Sequence, residues 1–460
     1  MKRQNVTFGI GSVALIDKAD AQSDFFSIFN GVGGRMKDFI PSVKLLMVNK
    51  LEESVAVSRL PDFTPPEKFS MLGFEGSTSD RSLNRVLERM GQRSQLIMDA
   101  YQKWVLRNNL TDNVQNVDFS SSYFEGRHCS MAKLGYSRDH EPGKPQITYG
   151  ISIGANTIPT ALTIQKGNVN DKKHMKTMLK LCPKVLAPAS LLVFDCGGNT
   201  MENKEKILAL GFNYLTLRGK KVSPYREAIT FFREAQKENV EINGSYACAR
   251  RERNEERQYI FFSEKLAADQ LAKKKRRFEK DLKKGAMLEK KVRAGKELDR
   301  FVYEEGYIIS EGKLQRSMGK LENPYIKGIE GFFILEASLD LPPYEILKLY
   351  RDKDVVEKFI RDLKEGAEMR PIRHWSKYAV IGYLLLVFLT NALKNLTQIK
   401  VKNPLVKNFK LLKKYLNNLT VSVFYPKNGF RMAVISNFSA EMKALFGDFI
   451  RKYGEIELNI

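Results

Sequence analysis

Cysteine is scarce: Cys129, Cys182, Cys196 and Cys248 are the only four in 460 residues, far apart and without a CxxC pair. That spacing indicates neither a zinc ribbon nor a disulfide framework, and it fits a reducing compartment. Histidine is equally rare, and His128, His140, His174 and His374 lack metal-ligand spacing. No apolar run reaches the ~20 residues needed to span a bilayer. Tyr378 to Leu393 comes nearest and reads as a buried core helix. Lys2-Arg3 with Val6 to Ile16 and Ala19-Asp20-Ala21 loosely imitates a secretory leader, but Gly9 and Gly11 interrupt it, so a short buried strand is expected. Acidic charge is also in deficit, with 53 Asp and Glu against 76 Lys and Arg, a formal charge of +23. The partner is therefore anionic, and without a membrane span it is nucleic acid rather than lipid, met in the cytoplasm at the nucleoid.

Hydrophobic residues make up 43% of the chain, enough for a core in each of about two to four domains. Residues 1–110 read as a helical N-terminal DNA-binding region. Within it a helix starting near Ser79 buries Leu83, Val86, Leu87 and Met90, while Arg81, Arg85, Arg89 and Arg93 recur every fourth residue. That basic stripe is either a solvated face or a contact to DNA phosphates. From 111 the texture changes. Val114 to Phe119, Ile147 to Ile153, Thr157 to Ile164, Leu191 to Phe194 and Phe212 to Leu217 are candidate strands, with helices over Asp171 to Leu181 and Met201 to Leu210 between the later ones. Three strands, helix, strand, helix, strand is the order of a ribonuclease-H-like core, an α/β fold.

The expected layout is thus a first part of that catalytic core over 111–219, a basic insertion domain over 220–330 and a second part over 331–394. Mainly helical N- and C-terminal regions flank it, the latter a Lys-rich helical tail over 395–460 that could serve dimerisation. Lys273 to Lys296 carries twelve Lys and Arg against three Asp and Glu, with Leu271, Phe278, Leu282, Leu288 and Val292 as a weak apolar face. A long helix is expected there, solvated or set against a DNA backbone.

Cutting or transferring a phosphodiester needs an aligned nucleophile and divalent metal to neutralise developing charge. Mg²⁺ takes oxygen ligands and keeps several waters, so two or three carboxylates from separate elements suffice. Asp118 closes the first candidate strand and Asp195 follows the fourth, at neighbouring strand ends, where open α/β sheets place their ligands. Glu357 lies on a helix after the insertion. Each has a plainer reading, Asp118 and Asp195 as turn residues and Glu357 as the N3 member of a capping box opened by Asp354. On that helix Val356, Ile360 and Leu363 face the core, while Glu357, Arg361 and Lys364 share another face. Glu125, Asp139 and Asp112 are weaker candidates, Asp171 reads as a helix cap, and His140 as a surface loop residue. Trp375 reads as an aromatic plug between helices in preference to a base-stacking ring.

The spacing Tyr350-x2-Lys353-x3-Glu357-x6-Lys364 resembles the Tyr-x2-Arg-x3-Glu-x6-Lys signature of the DDE transposases encoded by bacterial and archaeal insertion sequences, with Lys353 where that family usually has Arg. Asp195-Cys196-Gly197 followed by Thr200 is similar to the family's Asp-x-Gly-x2-Tyr/Phe, with Thr200 in place of the aromatic. Gly135 to Pro142 and Gly167 to Asp171 resemble stretches that follow the first acid. The resemblance implies a triad of Asp118, Asp195 and Glu357 holding two Mg²⁺ or Mn²⁺ ions, with Tyr350, Lys353 and Lys364 on flanking phosphates. It further implies cleavage at terminal inverted repeats, strand transfer to target DNA, and a homodimer pairing two double-stranded ends in a synaptic complex. The alternatives are a catalytically inactive, DNA-binding derivative and a ribonuclease-H-like nuclease that cuts without joining.

Overall fold

In the first hundred residues apolar positions recur at intervals of three and four, and helices result. After β1 (Val6–Gly9) come α1 (Gly11–Ser23), α2 (Phe39–Leu51), α3 (Pro66–Met71), α4 (Asp80–Gln92) and α5 (Ser94–Arg107). The strand expected across Val6 to Ile16 stops at Gly9. Gly11 starts a helix whose backbone lies so close to another segment that a Cβ there would stand 2.4 Å from the Leu416 carbonyl oxygen. The helix expected from Ser79 is present. The Ser79 hydroxyl accepts from the Ser82 amide at 3.2 Å, satisfying one of the free amides of the first turn. Leu83, Val86, Leu87 and Met90 are all buried. This computed structural model describes residues 5–253, 256–293, 303–304, 307–310, 313–316, 323–401, 408–426 and 431–454.

The chain forms two compact units, Met1–Phe212 with Asp352–Ile460, and Asn213–Arg351. In the first, β2 (Val114–Tyr123), β3 (Gln146–Gly154) and β4 (Pro159–Lys166) make an antiparallel meander. The chain then passes through α6 (Asp171–Met178) to β5 (Leu191–Phe194), which lies parallel to β2, and on to α7 (Met201–Ala209). The order is β4-β3-β2-β5. Every residue of β3 and β5 is buried. Burial of every residue means that both faces of these strands are covered, and β5, Leu191-Leu192-Val193-Phe194, is the unbroken apolar run that such a strand shows.

The second unit is a five-stranded antiparallel sheet in the order β6-β13-β9-β8-β7. Its elements are β6 (Asn213–Leu217), α8 (Val222–Glu234), β7 (Glu238–Glu241), β8 (Ser245–Arg253), β9 (Glu256–Phe262), α9 (Glu264–Arg293), the short strands β10 (Tyr303–Glu304), β11 (Tyr307–Ser310) and β12 (Lys313–Arg316), then β13 (Phe332–Ala337) and α10 (Pro343–Arg351). Tyr225, Ala228, Ile229 and Phe232 of α8 pack on Ala249, Ile260 and Ile334 of the sheet. The long basic helix is there as α9. Its expected end at Lys296 lies outside the described residues. Strands β7 to β9 were not anticipated.

Back in the first unit the chain forms α11 (Asp354–Arg361), a π-helical turn over Asp362–Gly366, α12 (Lys377–Val401), α13 (Phe409–Asn418), β14 (Thr420–Phe424), β15 (Met432–Ser436) and α14 (Ala440–Phe446). As expected, α12 is a core helix: Leu384 through Leu389 are each at most 1% exposed. A helix apolar on all sides is stable in water only when enclosed. The tail is not wholly helical. β14 pairs with β1 and β15, because Val421 and Val423 alternate with Ser422 in the period of two that buries one face of a strand. Residues 402–407, 427–430 and 455–460 of that tail lie outside the described residues.

Candidate active site

β2 runs four residues further than its apolar pattern suggests, so Asp118 sits mid-strand, opposite Ile151 of β3, and not at a strand end. What exposes it is its other neighbour. β5 stops at Phe194, which pairs with Val117. Asp118 is therefore the first residue of β2 beyond that end, and Asp195 leaves β5 at the same level. Asp118 is half-buried and accepts from the Phe119 amide at 2.9 Å; the Asp195 side chain is 48% exposed. After Asp195 the chain turns over Cys196-Gly197-Gly198, and Thr200 caps α7 by accepting from the Asn203 amide. A hydroxyl at 200 is thus accounted for by the helix it starts.

Lys353 is the residue before α11 and is 4% exposed. Its ammonium donates to Glu357 Oε1 at 2.8 Å and stands 4.0 Å from Asp195 Oδ2. Burial works to lower the Lys353 pKa, but Asp118, Asp195 and Glu357 outweigh it and hold the ammonium above the usual lysine range. Asp118, Asp195 and Glu357 are thus gathered about one cation. The capping box expected from Asp354 is absent, since the helix begins at Asp354 itself, which pairs with Lys358 at 2.5 Å.

Beyond α11 the π turn admits an extra residue and rotates the side chains after it about the helix axis. The Ala367 amide bonds to the Asp362 carbonyl at 2.8 Å. Lys364 therefore leaves the face of Glu357 and Arg361. It is buried and donates to Asp139 Oδ1 at 2.7 Å, which also takes Arg370 at 2.7 Å. Asp139 further accepts from the Tyr123 amide, and its side chain is 1% exposed. Arg361 stays exposed. Tyr350 belongs to α10 of the second unit.

Sequence reasoning assigned no part in the site to two residues that lie beside the acids. Arg138 donates to Asp171 Oδ1 at 2.5 Å, and its positive charge is felt by Asp118. Asp171 lies against Gly197, where a Cβ would meet its Oδ2 at 2.3 Å. Asp171 does not cap α6; Asn170 does, accepting from the Lys173 amide. The signal was available in the stretches 135–142 and 167–171, which meet at two glycines: a Cβ on Gly135 would stand 2.2 Å from the Gly167 carbonyl oxygen. A cavity of ≈ 300 Å³ lined by Tyr136, Arg138, Asn168, Asp171 and Gly197 opens there.

The fit of this site to a divalent ion can be tested on its donors. Asp118 and Asp195 offer hard carboxylate oxygens from adjacent strands, and Mg²⁺ asks for one or two such ligands plus water. Glu357 lies within the combined reach of the two Lys353 contacts from Asp195. Among the described residues no three Asp, Glu, His or Cys side chains already stand in ligating geometry. The donor chemistry fits, with Lys353 placed among the ligands.

Burial pushes the Asp118 carboxyl up to about 6, against the pull of Lys353 and the Phe119 amide. Between 3.8 and about 6 the folded chain keeps a proton that the unfolded chain has released. Stability therefore falls as pH rises through that window, and the cost stands in full above it. Asp118→Asn is expected to stabilise the metal-free protein at pH 8, by at most about 3 kcal/mol given the partial exposure of this side chain, and to change little near pH 4. Melting curves in EDTA at both pH values check this; a variant less stable at pH 8 would contradict it.

The arginine stripe lies on α4 as expected. Arg81 and Arg85 are exposed, whereas Arg89 is partly committed, donating to the Val32 carbonyl at 2.9 Å. Arg85 and Arg89 line a cavity of ≈ 750 Å³ together with Lys37, Ser79 and Ser82. Trp375 is no core plug: it is 63% exposed, with the Arg127 guanidinium 5.9 Å from its ring centroid. His140 is exposed on its loop.

No protein-family model matches the chain, and no curated protein does either. Among solved structures it is similar to the piggyBac transposase of a synaptic complex with hairpin DNA, at TM-score 0.44 and 9% identity, covering 97% of this chain and 79% of that one. A likeness that slight assigns no activity.

Proposed function

We propose that the chain is a DNA transposase of an insertion sequence, which cuts and rejoins DNA at terminal inverted repeats by a DDE mechanism. The observation that carries the reading is the placement of Asp118 beside Asp195 past the end of β5, with Glu357 drawn to the same point through Lys353. The order β4-β3-β2-β5, an antiparallel meander followed by a helical crossover to a parallel strand, supports a ribonuclease-H-like core. The charge of +23 supports a polyanionic substrate, double-stranded DNA at transposon ends and target.

In this reading Asp118, Asp195 and Glu357 hold two Mg²⁺ or Mn²⁺ ions. Bound there, the ions would supply a deprotonated attacking oxygen and neutralise charge at the phosphate. The chain's own residues do the rest. Arg81, Arg85, Arg89 and Arg361 hold phosphates, and Tyr350 and Lys353 hold those nearest the cut. The half-exposed Asp195 and Glu357 face the substrate, while the buried Asp139 anchors Lys364 and Arg370 behind them. Two copies pairing two DNA ends in the cytoplasm, at the nucleoid, complete the proposal.

The test is a labelled inverted-repeat end incubated with the full chain and Mg²⁺. Cutting with joining is the expected result; cutting alone would mark a nuclease, and binding alone an inactive derivative. Affinity for that DNA is expected to fall about 10³-fold or more between 50 and 200 mM salt, if six or more phosphates are contacted. A nearly salt-insensitive complex, measured by fluorescence anisotropy, would contradict the cationic contacts.

A further inference from the structure

Lys353 has no ordinary reason to be where it is. A buried ammonium is costly unless paired, and one carboxylate would pair it. Lys353 instead sits at 4% exposure among three, bonded to Glu357 at 2.8 Å, 4.0 Å from Asp195, and within the field of Asp118. Of the nearby cations, Arg138 pairs with Asp171 and Lys364 with Asp139.

We infer that Lys353 is the resident cation of the metal-free acid site, and that divalent ions enter by exchange with its ammonium, which leaves the carboxylates as they bind. This rests on the metal-site reading above. A dication and an ammonium cannot share so small a space between the same oxygens, because their repulsion is strong at such separations. The residue type suits the task. Lysine carries a compact point charge on a flexible four-carbon stem, whereas arginine presents a wide planar fork that is not readily swapped for an ion. Position 353 is where the chain departs from the arginine of the signature it resembles, and exchange gives that departure a function.

The experiment uses the full chain without DNA and Mn²⁺ alone as the probe. By calorimetry, Lys353→Met is expected to bind Mn²⁺ at least ~10-fold more tightly than the parent, because the competing cation is gone. In EDTA the same variant is expected to melt several degrees lower. An unchanged or weaker Mn²⁺ affinity would overturn the proposal. Should the variant fail to fold in EDTA, the parent answers by itself through reductive methylation of lysines read by mass spectrometry. Lys353 is expected to label several-fold faster with Mn²⁺ than in EDTA, while Lys364, buried against Asp139, is unchanged. Equal Lys353 labelling in the two conditions, with Mn²⁺ shown to be bound, sinks the exchange and leaves the metal site standing. No Mn²⁺ binding by parent or variant would overturn the metal-site reading itself.

Discussion

Asp195→Ala is expected to slow Mg²⁺-dependent strand cleavage at least ~10³-fold while leaving affinity for inverted-repeat DNA within about threefold. The two effects separate because of where Asp195 sits. Its side chain is 48% exposed, and Lys353 approaches it no closer than 4.0 Å, so little folding energy depends on that ion pair. Most of the cations assigned to DNA lie on α4 and α11, and Lys353, the one beside Asp195, keeps its bond to Glu357. Removing one carboxylate even lessens the repulsion that the site exerts on a phosphate. Gel-shift affinity and single-turnover cleavage on the same DNA end measure both quantities. Joint loss of binding and cleavage, in a variant that melts normally, would show that Asp195 supports the DNA surface rather than the chemistry.

The largest stability effect is expected far from the acids, at Gly382. There α12 crosses α4 so closely that a Cβ on Gly382 would stand 1.9 Å from the Leu87 carbonyl oxygen, and one on Gly91 1.8 Å from that of Tyr378. These obstacles are backbone atoms and cannot rotate aside. Gly382→Ala must push the helices apart along the buried run from Leu384 to Leu389, at a cost of about 3 kcal/mol or more. Gly91→Ala is expected to cost a similar amount, and the double variant less than the sum, because the first separation relieves the second clash. Gly76→Ala, where a Cβ meets nothing within 4 Å, is expected to stay within about 0.5 kcal/mol. Urea denaturation of the four proteins tests the order; a Gly382→Ala midpoint equal to that of Gly76→Ala would mean that the two helices do not touch as described.

What could be foreseen came from periodicity. The buried helix over Tyr378 to Leu393, the amphipathic α4 with Arg81 and Arg85 outward and the apolar β5 were each legible, because one period of three to four, or one unbroken apolar run, decides them locally. What escaped had two physical causes. Strand ends are set by pairing partners, so the true end of β2, at Tyr123, could not be seen in a segment whose last residues include three serines that the sheet buries. A π turn has no residue signature either, and its extra residue took Lys364 from the solvent face to Asp139.

By itself the sequence determined the chain's excess positive charge, its helical first hundred residues, its core helix and the identity of the acids worth testing, because composition and short-range spacing settle those. Only the tertiary structure decided that β5 stops one residue short of Asp118, that Asp139 holds Lys364 and Arg370 and Asp171 holds Arg138 instead of capping a helix, and that Lys353 stands among the carboxylates. Those facts depend on strand register and on approaches between segments up to hundreds of residues apart, where a single glycine or a single extra residue in a turn sets which charges meet.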